Sequence, residues 1–339
     1  MAPQSDADVK KTAATLRDYI RIARFEHMTK HVFIIPGIAL AFLLRADALE
    51  NVGPHIGRTI LIGFISAIFV SSANYVINEW LDRDFDRFHP EKSQRAAVQR
   101  EMSATIVIVE YLVLLLLGFW LALMVNGAFF WTAILLAISG VTYNVLPFRT
   151  KDLQYFDVLS ESVNNPLRLL MGWAMIDGGS LPPISLILAF WFGGAFLMNS
   201  KRLAEYRDIV VTDGIEVLSR YRRSFHGYSE IKLSVANLVY ALACAFFMAI
   251  FLIKYRIEYV LLFPCIVVLF AVYYALALTP NSVARSPEKL YQARNLIVSV
   301  VLTAAVFTVA TFVDIPHIEA LAAQQFIELN PAISGLPSE

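Results

Sequence analysis

The chain has 339 residues, 58% of them hydrophobic and 17% charged, with a mean hydropathy of +0.59. That composition excludes a water-soluble globule with a polar shell and points to an integral membrane protein. A formal net charge of zero leaves no basic footprint for a nucleic acid, so no such partner is expected.

The first 17 residues mix acids and bases and lack the apolar core and small-residue cleavage site of a signal peptide, so a retained N-terminus is expected. A membrane helix needs about 20 apolar residues. Nine stretches qualify: approximately 28–46, 59–78, 104–125, 128–145, 158–176, 184–200, 233–253, 258–278 and 295–313. The first contains Pro36 and Gly37, and the fifth carries Ser160, Glu161, Asn164, Asn165 and Arg168. The N-terminus, counted through Lys30 at the start of the first span, and the loops after spans 2, 4, 6 and 8 hold 23 of the 28 Lys and Arg residues. Basic segments stay cytoplasmic. The expectation is therefore a multi-pass protein of the inner (cytoplasmic) membrane, its N-terminus cytoplasmic and its C-terminus on the opposite side.

Cys244 and Cys265 both lie in apolar segments and read as small buried hydrophobes. The tail from Asp314 has no Lys or Arg, and Ile318, Leu321 and Phe326 outline a short interfacial helix. No fixed-period repeat is present, so residues 1–339 are expected to form one all-α domain. Its two long polar loops, 79–103 and 201–232, face the cytoplasm as caps.

The segment "NEWLDRDFDRFHPEKSQR", residues 78–95, follows directly on the second span. Charge beside hydrocarbon is expensive and marks a site by default. Asn78, Asp82 and Asp86 recur every four residues, which keeps them on one helix face. Asp82 and Asp86 then lie about 6 Å apart along the axis, close enough to share a hard cation. Such a pair, with Asn78 as a neutral oxygen ligand, suits Mg²⁺ that completes its shell from water and a substrate phosphate. Glu79 is one step from Asn78, and Asp84 points to the other side. The bland alternative pairs Asp82 and Asp86 with Arg83 and Arg87 as a solvated helix end. Pro90 should end this helix at His89, and Lys92 and Arg95 can reach back to anions bound on the Asp face. As a positive-inside anchor, the same run would instead contact lipid head groups.

"NEWLDRDFD" resembles the first Asp-rich motif of the UbiA superfamily of intramembrane prenyltransferases, N-D-x-x-D-x-x-x-D, with Glu79 in place of the usual Asp. "HPEKSQRA" is similar to the H-P-x-K-x-x-R-P extension of one branch, the decaprenyl-phosphate phosphoribosyltransferases, with Ala96 replacing the last Pro. The likeness covers roughly residues 20 to 310. It implies a nine-helix UbiA-like bundle, Mg²⁺ as cofactor, and Asp82 and Asp86, with Asn78 or Glu79, as its ligands and the catalytic carboxylates.

The superfamily carries a second acidic cluster after its sixth helix, whereas this chain has "NSKRLAEYRD", with Lys201, Arg202, Glu205, Arg207 and Asp208. Lys201, Arg202 and Arg207 could bind phosphate oxygens directly, Arg by a bidentate fork. The K-R-x-x-E segment also resembles the phosphoribosyltransferase branch, which adds Glu205 to the expected substrate-binding set. As ordinary helix chemistry, Lys201 and Glu205 would form an i,i+4 pair. "RYRRSFHGYSEIK" reads as an anchor and solvated loop.

Arg168 is the cation set well inside a span and needs an anion, either Glu161 two turns earlier or a bound phosphate; the resemblance favours the phosphate. Lys30 matches a basic residue at the start of the family's first helix and also suits a snorkelling role. Tyr143 and Asn144 read as an interfacial belt. No zinc-ligand spacing, nucleophile elbow, Walker loop or dinucleotide fingerprint occurs.

These features predict Mg²⁺-dependent transfer of a 5-phosphoribosyl group from phosphoribosyl pyrophosphate to a polyprenyl phosphate, with Lys30, Lys92, Arg95, Arg168, Lys201, Arg202 and Glu205 binding substrate. Two alternatives stand beside it. One is an isoprenoid transferase acting on an aromatic or other small acceptor. The other is a carrier, for which charges near the bilayer centre and pseudo-repeats would be expected. The oligomeric state is left open, a homo-oligomer included.

Overall fold

The computed structural model describes residues 12–45, 53–89, 92–212, 214–280, 282–285 and 287–321. Among them the regular structure is helical apart from one isolated bridge, Ala13 to Glu101. The helices are α1 (Leu16–Ile22), α2 (Ile34–Leu44), α3 (Ile56–Asp86), α4 (Ala96–Gln99), α5 (Ala104–Val125), α6 (Gly127–Asn144) and α7 (Phe156–Ser162). They continue as α8 (Asn164–Ile176), α9 (Ile184–Thr212), α10 (Ile215–Tyr221), α11 (Glu230–Tyr255), α12 (Leu262–Leu278), α13 (Arg294–Phe312) and α14 (Pro316–Leu321).

Among the described residues, seven helices are long and apolar enough to cross a membrane, and the expected first and fifth spans take shorter or broken forms. The first is the 11-residue α2, preceded by a 3₁₀ stretch, Phe25–Phe33. The fifth is split into α7 and α8 at Val163. Pro166 has no N–H to give the carbonyl of Ser162, so the helical ladder is interrupted while Val163 keeps helical angles of φ −53 and ψ −28. In the other seven, the apolar pattern placed the helices within a few residues, save that α3 and α9 run on past the bilayer.

Those two extensions position the site. α3 has 31 residues and α9 has 29, about 46 and 44 Å of helix against a hydrocarbon core of about 30 Å. The surplus turns carry Asn78 to Asp86 on one and Lys201 to Asp208 on the other. α8 is the axis of the bundle. Its Leu167, Met171 and Ala174 pack into a core with α2, α3, α5 and α6, and its Leu169 and Trp173 into another with α9, α11, α12 and α13. The seam with α2 is made by backbone contact, since a Cβ on Gly172 would fall on the Ile34 carbonyl oxygen.

α1 is an element the apolar pattern did not announce. Thr15 N–H donates to Asp18 Oδ2 at 2.8 Å, half of a capping box. Its Tyr19 and Ile22 pack on Ala96 and Ala97 of α4. Ile318 lies on α14 as expected; Phe326 and the Leu321 side chain fall outside the described residues.

Candidate functional site

Asn78, Asp82 and Asp86 share the inward face of α3. Asp82 Oδ1 accepts from Lys151 Nζ at 2.5 Å and from Arg149 Nη2 at 3.0 Å. Asn78 Nδ2 donates to Asp82 Oδ2 at 3.2 Å and to Asn144 Oδ1 at 2.6 Å. Asn144 Oδ1 also receives Lys151 Nζ at 2.8 Å. Asp86 is buried and accepts from Arg95. The solvated-end alternative is not what the chain does: Arg83 turns to the Trp80 carbonyl at 2.6 Å and to the exposed Asp84 at 4.0 Å.

Glu79 stands apart from this line. It accepts from Arg24 Nε at 2.7 Å, and the Ala97 N–H reaches its other oxygen at 3.4 Å. Its position on α3 turns it away from Asp82 and toward the N-terminal segment, where it ties α3 to the turn after α1 and to α4. Of the two expected extra ligands, the geometry leaves Asn78 beside the aspartates and gives Glu79 a clamping contact.

The basic run folds back as expected, with different endpoints. α3 ends at Asp86, three residues short of His89. Arg95 meets the carboxylate of Asp86 itself. His89 Nε2 lies 3.5 Å from Glu205 Oε1, so the first cap loop is fastened to α9. Lys92 Nζ lies over the Tyr221 ring, 5.3 Å from its centroid.

Around α9, Arg202 is 1% exposed. It donates to Glu161 Oε2 at 2.7 Å, to Asp157 Oδ2 at 3.4 Å and to Glu205 Oε2 at 3.4 Å. Arg222 joins it, 3.6 Å from Asp157 and 3.3 Å from the Tyr143 hydroxyl, which in turn donates to Glu161 at 2.9 Å. The direct phosphate contact expected of Arg202 is thus replaced by three carboxylates. Glu205 takes Arg202 and His89 rather than Lys201. Arg207 pairs with Glu230 on the surface, and Lys201 is half-buried. The Lys30 side chain lies outside the described residues.

Sequence reasoning missed Arg149, Lys151, Asp157 and Arg222, and gave Tyr143 and Asn144 to the interface. One signal was available: Asp157 and Glu161 repeat the i,i+4 carboxylate spacing of Asp82 and Asp86 at another helix mouth. The bases close to these acids are strongly perturbed. Burial pushes the Lys92 ammonium down to about 7, with Arg222 and Arg95 adding to the effect against Glu205 and Asp86. Burial likewise pushes Lys151 down to about 8, against the pull of Asp82. Arg222 goes the other way: burial opposes its charge, but Tyr143, Glu205, Asp157 and Glu161 hold it well above its ordinary value.

The donor set suits a hard divalent cation in part. Both hydrogen bonds of Asn78 run through Nδ2, which keeps Oδ1 for a metal beside two carboxylates. Among the described residues no three or more His, Cys, Asp or Glu side chains form a ready cage. Asp82, Asp86 and Asn78 would therefore supply part of a Mg²⁺ shell, and phosphate and water the rest.

The UbiA prenyltransferase family model matches residues 33–299. The chain belongs to this family. In fold, the UbiA chain resembles a UbiA homolog from Archaeoglobus fulgidus bound to DMAPP and Mg²⁺, with a TM-score of 0.64 and 20% identity over 87% of this chain and 100% of that one. It also resembles a digeranylgeranylglyceryl phosphate synthase, with a TM-score of 0.58 and 16% identity over 87% and 98%. Among curated UbiA-like relatives, a polyprenyl transferase of Aspergillus fumigatus is 25% identical over 53% of this chain and 59% of its own length. A protoheme IX farnesyltransferase of Alkalihalophilus pseudofirmus is 29% identical over 60% and 64%. The chain spans about three fifths of the length of these relatives. The protein is thus a multi-pass membrane member of the UbiA family.

Proposed function

We propose that this protein transfers a 5-phosphoribosyl group from phosphoribosyl pyrophosphate to a polyprenyl phosphate of decaprenyl type, at the cytoplasmic face of the inner membrane. The observation that carries the reading is the neutralised acid set around α9. Asp157, Glu161 and Glu205 are spent on the buried Arg202, and Asp157 also on the half-buried Arg222, which leaves Asp82 and Asp86 as the acids for a single metal. A site with one metal locus and fixed cations opposite suits two separate phosphate groups better than one diphosphate bridged by two metals.

Asp82, Asp86 and Asn78 would hold Mg²⁺, which when bound neutralises charge on the leaving pyrophosphate. Lys151, Arg149 and Arg95 now occupy those carboxylates and lie ready to pass to phosphate oxygens. Lys92 and Arg222 line the side toward α10 and take the donor's 5-phosphate. An acceptor phosphate oxygen attacks ribose C1, the C1–O bond to pyrophosphate breaks, and pyrophosphate leaves. A phosphate monoester is already doubly ionised near neutral pH, its second pKa being about 6, so no base has to remove a proton. Alignment and charge stabilisation supply the rate. The basic bias of the alternate loops supports a cytoplasmic site.

The second reading is an isoprenoid transferase, favoured by the names of the relatives, which include 4-hydroxybenzoate octaprenyltransferases. Purified protein with Mg²⁺, phosphoribosyl pyrophosphate and a polyprenyl phosphate should yield a lipid heavier by one phosphoribosyl group in mass spectrometry. Pyrophosphate release from a prenyl diphosphate with an aromatic acceptor, and none from phosphoribosyl pyrophosphate, overturns the proposal.

A further inference from the structure

Arg168 sits one turn into α8, the helix shared by both halves of the core, and is 6% exposed. Its Nε is buried without a partner, and Nη1 reaches only the Asn164 carbonyl of its own helix at 3.4 Å. Glu161, the carboxylate in sequence range, is taken by Arg202 and Tyr143. No described carboxylate forms an ion pair with Arg168. The ionisable group beside it is the Tyr75 phenol of α3. Tyr75 lies seven residues before Asp82, about 10 Å deeper along α3. One turn deeper on the Tyr75 face of α3, Ser71 Oγ is also buried without a hydrogen-bond partner.

A fold that keeps a guanidinium uncompensated among apolar helices has left its counter-ion to a ligand. We propose that Arg168, with Tyr75, is the subsite for the phosphate monoester of the lipid acceptor, one level below the donor's phosphates. Depth selects the source, because an anion reaching this level travels most cheaply at the end of a hydrocarbon tail. The rim bases Lys151, Arg149, Lys92 and Arg222 are then left to the donor. Two phosphates at two depths place the acceptor oxygen under the donor's ribose. A reading in which the interior holds only a hydrocarbon tail leaves this charge unanswered. The assignment rests on the phosphoribosyl-transfer reading for its acceptor, but its test does not.

The test is thermal unfolding and ligand binding in detergent with farnesyl phosphate, farnesol, inorganic phosphate and Mg²⁺-phosphoribosyl pyrophosphate as probes. The Arg168→Gln variant should melt higher than the native chain without ligand, because an unpaired buried charge is gone. The same variant should bind farnesyl phosphate about 100-fold more weakly and lose its ligand-induced rise in Tm, while donor affinity stays within about twofold. The Arg168→Lys variant should recover part of the farnesyl phosphate affinity. A lower ligand-free Tm with unchanged farnesyl phosphate affinity overturns the subsite, as does farnesol binding the native chain as tightly as farnesyl phosphate. Inorganic phosphate protecting as well as farnesyl phosphate overturns the lipid source. If the native chain binds no phosphoribosyl pyrophosphate yet shows Arg168-dependent binding of farnesyl phosphate, the transfer reading falls and this one stands.

Discussion

Two charged clusters meet at one rim of the bundle and are built on opposite terms. On α3 and the loop after α6, Asp82 keeps 17% of its side chain exposed, and each of its basic partners has a second acceptor: Asp152 for Arg149 and Asn144 for Lys151. On α9, Arg202 is sealed among Asp157, Glu161 and Glu205, and Asp157 is further held by Tyr228 at 2.6 Å and Ser224 at 3.0 Å. The first arrangement can exchange partners when an anion arrives. The second cannot, and serves to fix the helices that carry the first. Identical residue types thus divide between holding a ligand and holding the protein, and burial decides which.

The largest test of this division is Arg202→Met. It removes the buried cation that Asp157, Glu161 and Glu205 share, leaving the buried Asp157 and Glu205 short of charge, so stability should drop by about 3–5 kcal/mol, read as thermal unfolding in detergent. A variant melting within a degree or two of the native chain would abolish the distinction. Glu79→Gln comes next. Its partner Arg24 has 11% side-chain exposure, and weakening a charged hydrogen bond there should cost about 1.5–3 kcal/mol. Mg²⁺-dependent affinity for the diphosphate donor should stay within about twofold; a collapse of that affinity would return Glu79 to the metal set.

Asp82→Asn should show the reverse pattern. Its partners keep other acceptors and the new amide oxygen can still accept from them, so the fold should lose about 1 kcal/mol. Divalent-ion-dependent binding of phosphoribosyl pyrophosphate should vanish, measured by calorimetry with and without Mg²⁺. Retained metal-dependent binding would move the site away from α3.

How far these roles could be read in advance follows from the range of the interactions. The spans were legible because hydrocarbon imposes a run of apolar residues that needs no partner, and the Asn78, Asp82, Asp86 line was legible because helical periodicity is local. Partner choice was not. Arg202 looked like a phosphate ligand because it stands with Lys201 where the superfamily resemblance leads one to expect acids, while its partners Asp157 and Glu161 lie over 40 residues away. Glu161 stood as the alternative to a phosphate for Arg168 because both sit on one helical face, until Pro166 breaks the ladder between them. Arg222, inside a run of bases, keeps 16% of its side chain exposed where its neighbour Arg223 keeps 62%, and nothing local separates the two.

The smallest expected effect tests the exchangeable cluster through protons. In the unfolded chain the Lys92 ammonium titrates near its ordinary value of about 10.4, whereas in the folded protein burial brings it down to about 7. Between those values the ligand-free native state lacks a proton that the unfolded chain holds, so this group makes stability rise with pH across that window. A phosphate placed beside Lys92 restores the charged form, so binding at pH 8 should draw in about 0.9 proton and affinity should fall almost tenfold per unit of pH above 7. Calorimetry in buffers of different ionisation enthalpy reads this uptake directly. Lys92→Met should remove it while leaving the Arg202 cluster and the melting curve near native. Uptake that persists in Lys92→Met would shift the proton to Lys151, pushed down to about 8 at Asp82, and with it the phosphate from the α10 side of the site to the α3 side.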